Sequence, residues 1–230
     1  NVYGEIVNER LTFNQKTLWN GGPSESRPNY QGGNIATSGG VAMSEKYRQV
    51  VEAFRNNASN ATSLCNALVG AGLNDGYGAY QSWGDIYLTF SGLTNDNYTD
   101  YSRDLDLATG IANVDFTQNG TDYHREYFMS YPDNVLAMKL TAKGNSKLNL
   151  NVKFPVDNDD NNVVSRRLGK NADYTVDASA GTIVMKGSLQ DNQMKMNSVL
   201  QVVTDGTKAA GSDQQSLDIS GADEVVIFIS

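Results

Sequence analysis

The segment Leu148–Phe154 reads LNLNVKF and alternates apolar with polar residues along its whole length. Successive side chains of a β-strand point to opposite faces, so this alternation predicts one buried face and one solvated face. The apolar face would be formed by Leu148, Leu150, Val152 and Phe154. Such a pattern is typical of an antiparallel sheet that packs on a core with one side only.

The same period of two recurs from Tyr80 to the end of the chain. Further strands are predicted at DIYLTF, IANVDFTQ, TDYHREYFMS, VLAMKLTA, ADYTVDA, GTIVMKGSL, SVLQVVT and EVVIFIS. Turn signals such as Asn119-Gly120 and Asp205-Gly206 separate them. About a dozen short antiparallel strands at near-regular spacing predict a mainly β fold, a large antiparallel β-sandwich.

Helical spacing is confined to residues 44–70, where one or two short helices are expected within the β fold. In the first helix, apolar residues recur behind a predicted N-cap at Ser44, at Tyr47, Val50, Val51 and Phe54. A second helix is predicted in NATSLCNALVGAG, with Gly70 and Gly72 as its stop signal. The single cysteine, Cys65, falls in this apolar pattern and is expected to be a buried free thiol.

Composition excludes several classes of function. The formal net charge of −8 and the scattered Lys and Arg residues argue against nucleic acid as a partner. Apolar runs are too short for a membrane-spanning helix, so no membrane partner is expected. We expect a single domain over residues 1–230, cut from a longer polypeptide, because strand-like sequence stands at both ends.

Motifs for hydrolytic, metal and phosphate chemistry are mostly missing, and no cofactor is expected. The single histidine, His124, lies within a predicted strand, where a structural role is favoured over a catalytic one. The acidic residues Asp157, Asp159 and Asp160 are weak candidates for a calcium site. Asn162 replaces the glycine that an EF-hand loop requires, so a solvated loop is the preferred interpretation and no metal is predicted.

The stretch Leu11–Asn34 reads LTFNQKTLWNGGPSESRPNYQGGN, which begins as a strand and continues as a loop rich in Gly and Pro. Aromatic residues in this loop and in a second Gly-rich stretch are candidates for carbohydrate contact, because the CH face of a sugar stacks on aromatic rings. These residues are Trp19, Tyr30, Tyr77, Tyr80 and Trp83. Filling of a core remains the alternative for each of them.

Four segments in order resemble glycoside hydrolase family 95, whose members are mainly inverting α-L-fucosidases with some α-L-galactosidases. The segments are ERLTFNQKTLWNGGP with SRPNYQGGN, YQSWGDIYLTF, YSRDLDLATGIANVDF and YHREYFMSYPDNVLAMKLTA. The resemblance covers nearly the whole chain and implies an N-terminal β-sandwich of the super-sandwich type. In that family a helical linker, an (α/α)6 barrel and a small β domain follow, and the barrel holds the catalytic groups.

The resemblance therefore implies no catalytic residue in this chain. It leaves three interpretations of the opening loop: contact with the barrel, packing on its own sandwich, and direct contact with a sugar. The resulting candidates for substrate or domain contact are Trp19, Gly21, Gly22, Tyr30, Tyr80, Gln81 and Trp83.

Two functions from different classes follow from these residues. The first is a noncatalytic N-terminal domain that packs on the catalytic barrel of the same polypeptide and helps to shape its active site, with a fucosylated oligosaccharide as substrate of the parent enzyme. The alternative is a carbohydrate-binding module for fucosylated or related glycans. The substrate class implies a bacterial enzyme that is extracellular or associated with the cell wall.

Overall fold

The computed structural model describes residues 2–24, 37–38, 41–66, 68, 80–154 and 170–230. Strands dominate these residues, and the predicted mainly β sandwich with two short helices is confirmed. The elements are β1 (Asn8–Trp19), β2 (Thr37–Ser38), β3 (Val41–Ala42), α1 (Met43–Arg55), α2 (Ala61–Asn66), β4 (Tyr80–Phe90), β5 (Tyr98–Asp106), β6 (Ile111–Gln118), β7 (Thr121–Ser130), β8 (Val135–Gly144), β9 (Leu148–Lys153), β10 (Lys170–Asp177), β11 (Thr182–Leu189), β12 (Lys195–Thr204), β13 (Thr207–Ala210), β14 (Ser216–Ala222) and β15 (Glu224–Ile229).

The chain divides into two compact units. The larger unit consists of Asn1–Gln15, Ser82–Ser188 and Lys195–Ser230, and the smaller unit of Lys16–Gln81 and Leu189–Met194. No helix in the described parts of either unit is long and apolar enough to cross a membrane. The prediction of one domain over residues 1–230 stays a prediction.

The larger unit contains most of two antiparallel sheets. Five strands follow the order β1-β4-β9-β14-β13, and eight strands follow the order β10-β11-β12-β15-β8-β7-β6-β5. Strand β9 alternates buried with half-buried residues, and Leu148, Leu150, Val152 and the following Phe154 all lie in the core, as the sequence predicts. Burial of these alternating faces removes apolar surface from water and is the main stabilising contribution.

Strands β2, β3, β5, β13 and β14 are not among those that the sequence predicts. All nine residues of β5 are exposed, because it is the edge strand of the eight-stranded sheet. An edge strand that buries neither face carries no alternation of apolar and polar residues, so periodicity cannot detect it. Its pairing with β6 shifts register between Thr99 and Ser102, and a bulge of this kind protects an edge from pairing with another chain.

The smaller unit contains both helices and the short β2-β3 hairpin. Helix α1 buries Val50 and Ala53, whereas Tyr47 and Phe54 of the predicted apolar face are exposed. The predicted N-cap at Ser44 is wrong. Ala42 occupies the N-cap position without a side-chain hydrogen bond, because the helix begins one residue before Ser44.

The expected burial of Cys65 is also wrong, since this free thiol is exposed. Helix α2 has only six residues and buries only Ala61 among them, so it is too short to enclose a second apolar position one turn further on. The predicted stop at Gly70 and Gly72 lies outside the described residues.

Candidate functional site

Trp19 and Tyr80 form an exposed aromatic pair in the smaller unit. Trp19 is the last residue of β1 and Tyr80 the first residue of β4, and these two strands are neighbours in the five-stranded sheet. Their ring centroids lie 5.2 Å apart, with an angle of 51° between the ring planes. Each residue is 42% exposed. Trp19 and Tyr80, which the sequence places in loops, are therefore strand-end residues that the sheet brings together.

The indole of Trp19 has a fixed orientation. Its Nε1 donates a hydrogen bond to the backbone carbonyl of Lys16 at 2.8 Å, within the same strand. This bond satisfies the only hydrogen-bond donor of the indole, so the exposed part of the ring is apolar. The side chain thus presents a hydrocarbon surface to solvent at a defined angle to Tyr80.

The turn that follows Trp19 is held by the connection between β11 and β12. Nδ2 of Asn192 donates to the carbonyls of Trp19 and Gly21, both at 2.9 Å, and the carboxylate of Asp191 accepts a hydrogen bond from the Gly21 N–H. Gly21 and Gly22 have φ of 86° and 73°, a conformation that glycine adopts without the penalty of a Cβ. Asp191 and Asn192 were not predicted from the sequence, because they lie about 170 residues from their partners.

These contacts favour self-packing of the turn backbone, whereas the Trp19 ring stays exposed.

Gln81 and Trp83, two further predicted contact residues, are less exposed than this pair. Gln81 is buried, at 4% exposure, although it was a candidate for surface contact. Trp83 belongs to the larger unit, where it is half-buried and its Nε1 donates to the hydroxyl of Ser198 at 3.1 Å. The other candidates lie outside the described residues, namely Tyr30, Tyr77, Asp157, Asp159 and Asp160.

A second polar cluster lies in the core of the larger unit. One carboxylate oxygen of Glu9 accepts hydrogen bonds from the backbone N–H groups of Tyr3, Gly4 and Arg10 at 3.0 to 3.2 Å. Its other oxygen accepts from the Tyr127 hydroxyl at 3.2 Å and from Arg125 at 3.4 Å. This cluster was not predicted from the sequence, although Arg125 lies on the same inward face of β7 as Tyr123 and Tyr127.

Burial dominates the electrostatics of this cluster. Burial raises the pKa of the Glu9 carboxyl above its usual 4.5, although hydrogen bonds from Gly4 and Arg10 and the charge of Arg125 act in the opposite direction. Burial also raises the pKa of the Tyr127 hydroxyl, which therefore remains protonated as a donor. Each group has protein partners, so the arrangement suits anchoring of the N-terminal segment rather than contact with a substrate.

His124 lies on the outer face of the eight-stranded sheet between two carboxylates. Its Nδ1 is 2.6 Å from Oδ1 of Asp115, and its Nε2 is 3.6 Å from Oε1 of Glu126. Asp115 lies opposite His124 on the neighbouring strand β6, and Glu126 lies two residues further along β7. Both ring nitrogens thus have an acidic neighbour. Among the residues that the structure describes, no group of three or more His, Cys, Asp or Glu side chains has a geometry suited to a metal ion.

A family model described as "Glycosyl hydrolase family 65, N-terminal domain" matches residues 1–230. The chain belongs to this family. The predicted identity as an N-terminal domain of a glycoside hydrolase is therefore confirmed. The family model has the number 65, whereas the sequence signatures resemble family 95, and both point to the same kind of domain.

Curated relatives are fungal and plant proteins. "Probable alpha-fucosidase A" of Aspergillus oryzae (strain ATCC 42149 / RIB 40) is 31% identical over 140 residues, which cover 61% of this chain and 18% of the relative. "Alpha-L-fucosidase 2" of Arabidopsis thaliana is 27% identical over 226 residues, which cover 97% of this chain and 23% of the relative. "Probable alpha-fucosidase A" of Aspergillus niger (strain ATCC MYA-4892 / CBS 513.88 / FGSC A1513) is 32% identical over 139 residues, or 60% of this chain and 16% of the relative. The chain thus spans less than a quarter of these relatives.

Proposed function

We propose that the chain is the noncatalytic N-terminal domain of an α-L-fucosidase-like glycoside hydrolase of family 95. The observation that carries this proposal is the family match over residues 1–230, together with relatives that bear the name α-fucosidase. The catalytic acid and base would belong to the barrel of the same polypeptide. In an inverting parent enzyme, these two carboxyl groups would stand roughly 6.5–9.5 Å apart to admit a water molecule.

The described residues support a noncatalytic role for the chain itself. The buried carboxyl of Glu9, whose pKa is raised by burial, is enclosed by hydrogen bonds from the protein and holds the N-terminal segment. The side chain of His124 is 39% exposed on the outer face of the sheet, with an acidic neighbour at each ring nitrogen. A hydrolytic site needs catalytic groups that converge on an enclosed substrate. We therefore assign a structural role to Glu9 and His124.

One end of the eight-stranded sheet offers a surface for packing against the catalytic barrel. The β5-β6 and β7-β8 turns leave the sheet at the same end, because the strands that precede them run in the same direction. Leu107 and Tyr131 in these turns are 87% and 95% exposed, and Leu105 and Met129 beside them are also exposed. We call these four residues the apolar end. The catalytic barrel of the same polypeptide is its proposed occupant, because the relatives are more than four times longer than the matched segment.

The apolar end is tested in the full-length polypeptide that contains this chain. A Leu107→Asp/Tyr131→Asp double variant places two charges in the proposed contact, so the thermal midpoint and the fucosidase activity should both fall. The matched control is Tyr47→Asp, which adds a charge at an exposed aromatic on α1. Unchanged activity and an unchanged midpoint in the double variant would refute this contact surface.

We further propose an extracellular or wall-associated bacterial parent that acts on fucosylated oligosaccharides. Fucosylated glycans are encountered mainly outside the cell, which supports this location. Fractionation of the producing bacterium followed by immunodetection tests it, and the intact parent in the cytosolic fraction alone would contradict it.

A further inference from the structure

We propose that Trp19 and Tyr80 form a stacking site for a pyranose ring, through which the chain binds neutral, fucose-containing glycans. This inference goes beyond the role in the parent enzyme, because it assigns binding to the domain itself. The ligand class follows from chemistry. A pyranose offers a face of C–H groups that packs on an aromatic ring, and the methyl group of a 6-deoxy sugar adds apolar area.

Exposure distinguishes this pair from aromatic pairs that serve the core. Phe116 and Tyr123 in the larger unit have ring centroids at a similar distance, 4.9 Å, but their planes are nearly parallel at 16°. They are only 2% and 5% exposed. Trp19 and Tyr80 are each 42% exposed, so a large part of their ring surface is open to a ligand.

The two rings do not form a single flat platform, since their planes are inclined at 51° with centroids 5.2 Å apart. In the proposed complex, the pyranose packs its C–H face on one of the rings, and the methyl group of a 6-deoxy sugar adds apolar contact area.

The site is held in place before any ligand binds. The indole of Trp19 is fixed by its hydrogen bond to Lys16, and the carbonyl of Trp19 by Asn192. Both rings stand at the ends of adjacent strands, which restricts their motion further. Preorganisation lowers the entropic cost of binding, which matters for weak ligands such as single sugars.

The charge of the chain favours a neutral ligand. Its formal net charge of −8 would repel an acidic glycan. The Tyr80 hydroxyl can both donate and accept a hydrogen bond, as the hydroxyl groups of a neutral sugar require.

Tryptophan fluorescence provides a direct measurement, because the chain has only two tryptophans. Trp83→Phe leaves Trp19 as the single reporter. This variant should show a saturable change in emission when 2'-fucosyllactose is added at millimolar concentration. The same experiment with lactose should give at least a fivefold weaker response. No change with either sugar, in a chain whose circular dichroism spectrum is native, would overturn the proposal.

Further variants in the Trp83→Phe background separate stacking from general effects. Tyr80→Ala should weaken binding of 2'-fucosyllactose about tenfold, as expected for the loss of one aromatic contact. The matched control, Tyr47→Ala, removes another exposed aromatic of the same unit and should leave binding unchanged. Equal loss in both variants would contradict the assignment. If Tyr80→Ala fails to fold, Tyr80→Leu keeps apolar volume without the ring, and unweakened binding there would contradict it as well. Failure of this proposal leaves the role in the parent enzyme intact, since that role is tested by activity of the full-length polypeptide.

Discussion

Arg125 and Glu9 form an ion pair inside the larger unit, with Nη1 of Arg125 3.4 Å from Oε2 of Glu9 and side-chain exposures of 2% and 0%. Arg125 also donates to the carbonyls of Glu5 at 2.6 Å and Ile6 at 2.8 Å, and its guanidinium lies 4.1 Å from the centre of the Phe90 ring. One side chain of β7 thus holds the segment that leads into β1.

Removal of the carboxylate should destabilise the chain strongly. Glu9→Ala leaves the buried Arg125 charge without its partner, and the backbone N–H groups of Tyr3 and Gly4 lose their acceptor. We expect the free energy of unfolding to fall by about 3–5 kcal/mol. Urea unfolding measures this loss, with the exposed Glu5→Ala as a control within ~0.5 kcal/mol of the native chain. A loss below about 1 kcal/mol for Glu9→Ala would show that the ion pair contributes little.

The raised pKa of Glu9 predicts a specific dependence of stability on pH. The folded chain holds this proton to a higher pH than the unfolded chain does, so protonation favours folding. This contribution is present below the usual pKa of 4.5 and is lost as the pH rises through the folded pKa. Glu9→Gln remains neutral at every pH. The free energy of unfolding of the native chain, relative to Glu9→Gln, should therefore decrease from about pH 4 to pH 7. An increase over that range would contradict the raised pKa.

Gly144 should not tolerate a side chain. Its φ is 146°, and an added Cβ would lie 2.3 Å from the carbonyl oxygen of Gly120 and 2.7 Å from Cα of Thr121. Since both are backbone atoms, we expect Gly144→Ala to cost about 2–3 kcal/mol in the free energy of unfolding. Gly110→Ala is the matched control, because it also has positive φ but meets nothing within 4 Å. It should cost ~1 kcal/mol, and equal losses in the two variants would refute the steric explanation.

Asn192 should support the Trp19 turn from a distance in sequence. Asn192→Ala removes both hydrogen bonds to the carbonyls of Trp19 and Gly21, which should lower the free energy of unfolding by about 1–2 kcal/mol. Hydrogen exchange at the amide of Gly21 should accelerate in this variant. The exposed Asn197→Ala serves as control, and unchanged exchange at Gly21 in Asn192→Ala would argue against a supporting role.

Much of the fold was predictable because, in a strand with one buried face, the alternation of apolar and polar residues reflects burial directly. Segments such as Leu148–Phe154 have one wet face, and the structure buries the other face as predicted. The edge strand β5 was not predictable in this way, because it buries neither face. Cys65 and Tyr47 were expected on the apolar faces of the helices, but both are exposed. Helical spacing indicated an apolar face, but the short helices bury only Val50, Ala53 and Ala61 among their residues.

The sequence identified the aromatic residues of the candidate site, but it did not predict that they are in contact. Trp19 and Tyr80 stood out as aromatics near glycine-rich sequence, yet their contact depends on β1 and β4 being neighbours. Pairing of distant strands leaves no local pattern. The same holds for Asp191 and Asn192, whose ordinary polar turn sequence gives no sign that it holds the residues after β1.

The central claim is that this chain is a noncatalytic part of a fucosidase-like enzyme. The most direct test measures release of L-fucose from 2'-fucosyllactose by the 230-residue chain and, in parallel, by the full-length polypeptide that contains it. We predict turnover by the full-length polypeptide and no release above the buffer control by the chain. Release of L-fucose by the purified, folded chain would contradict the account.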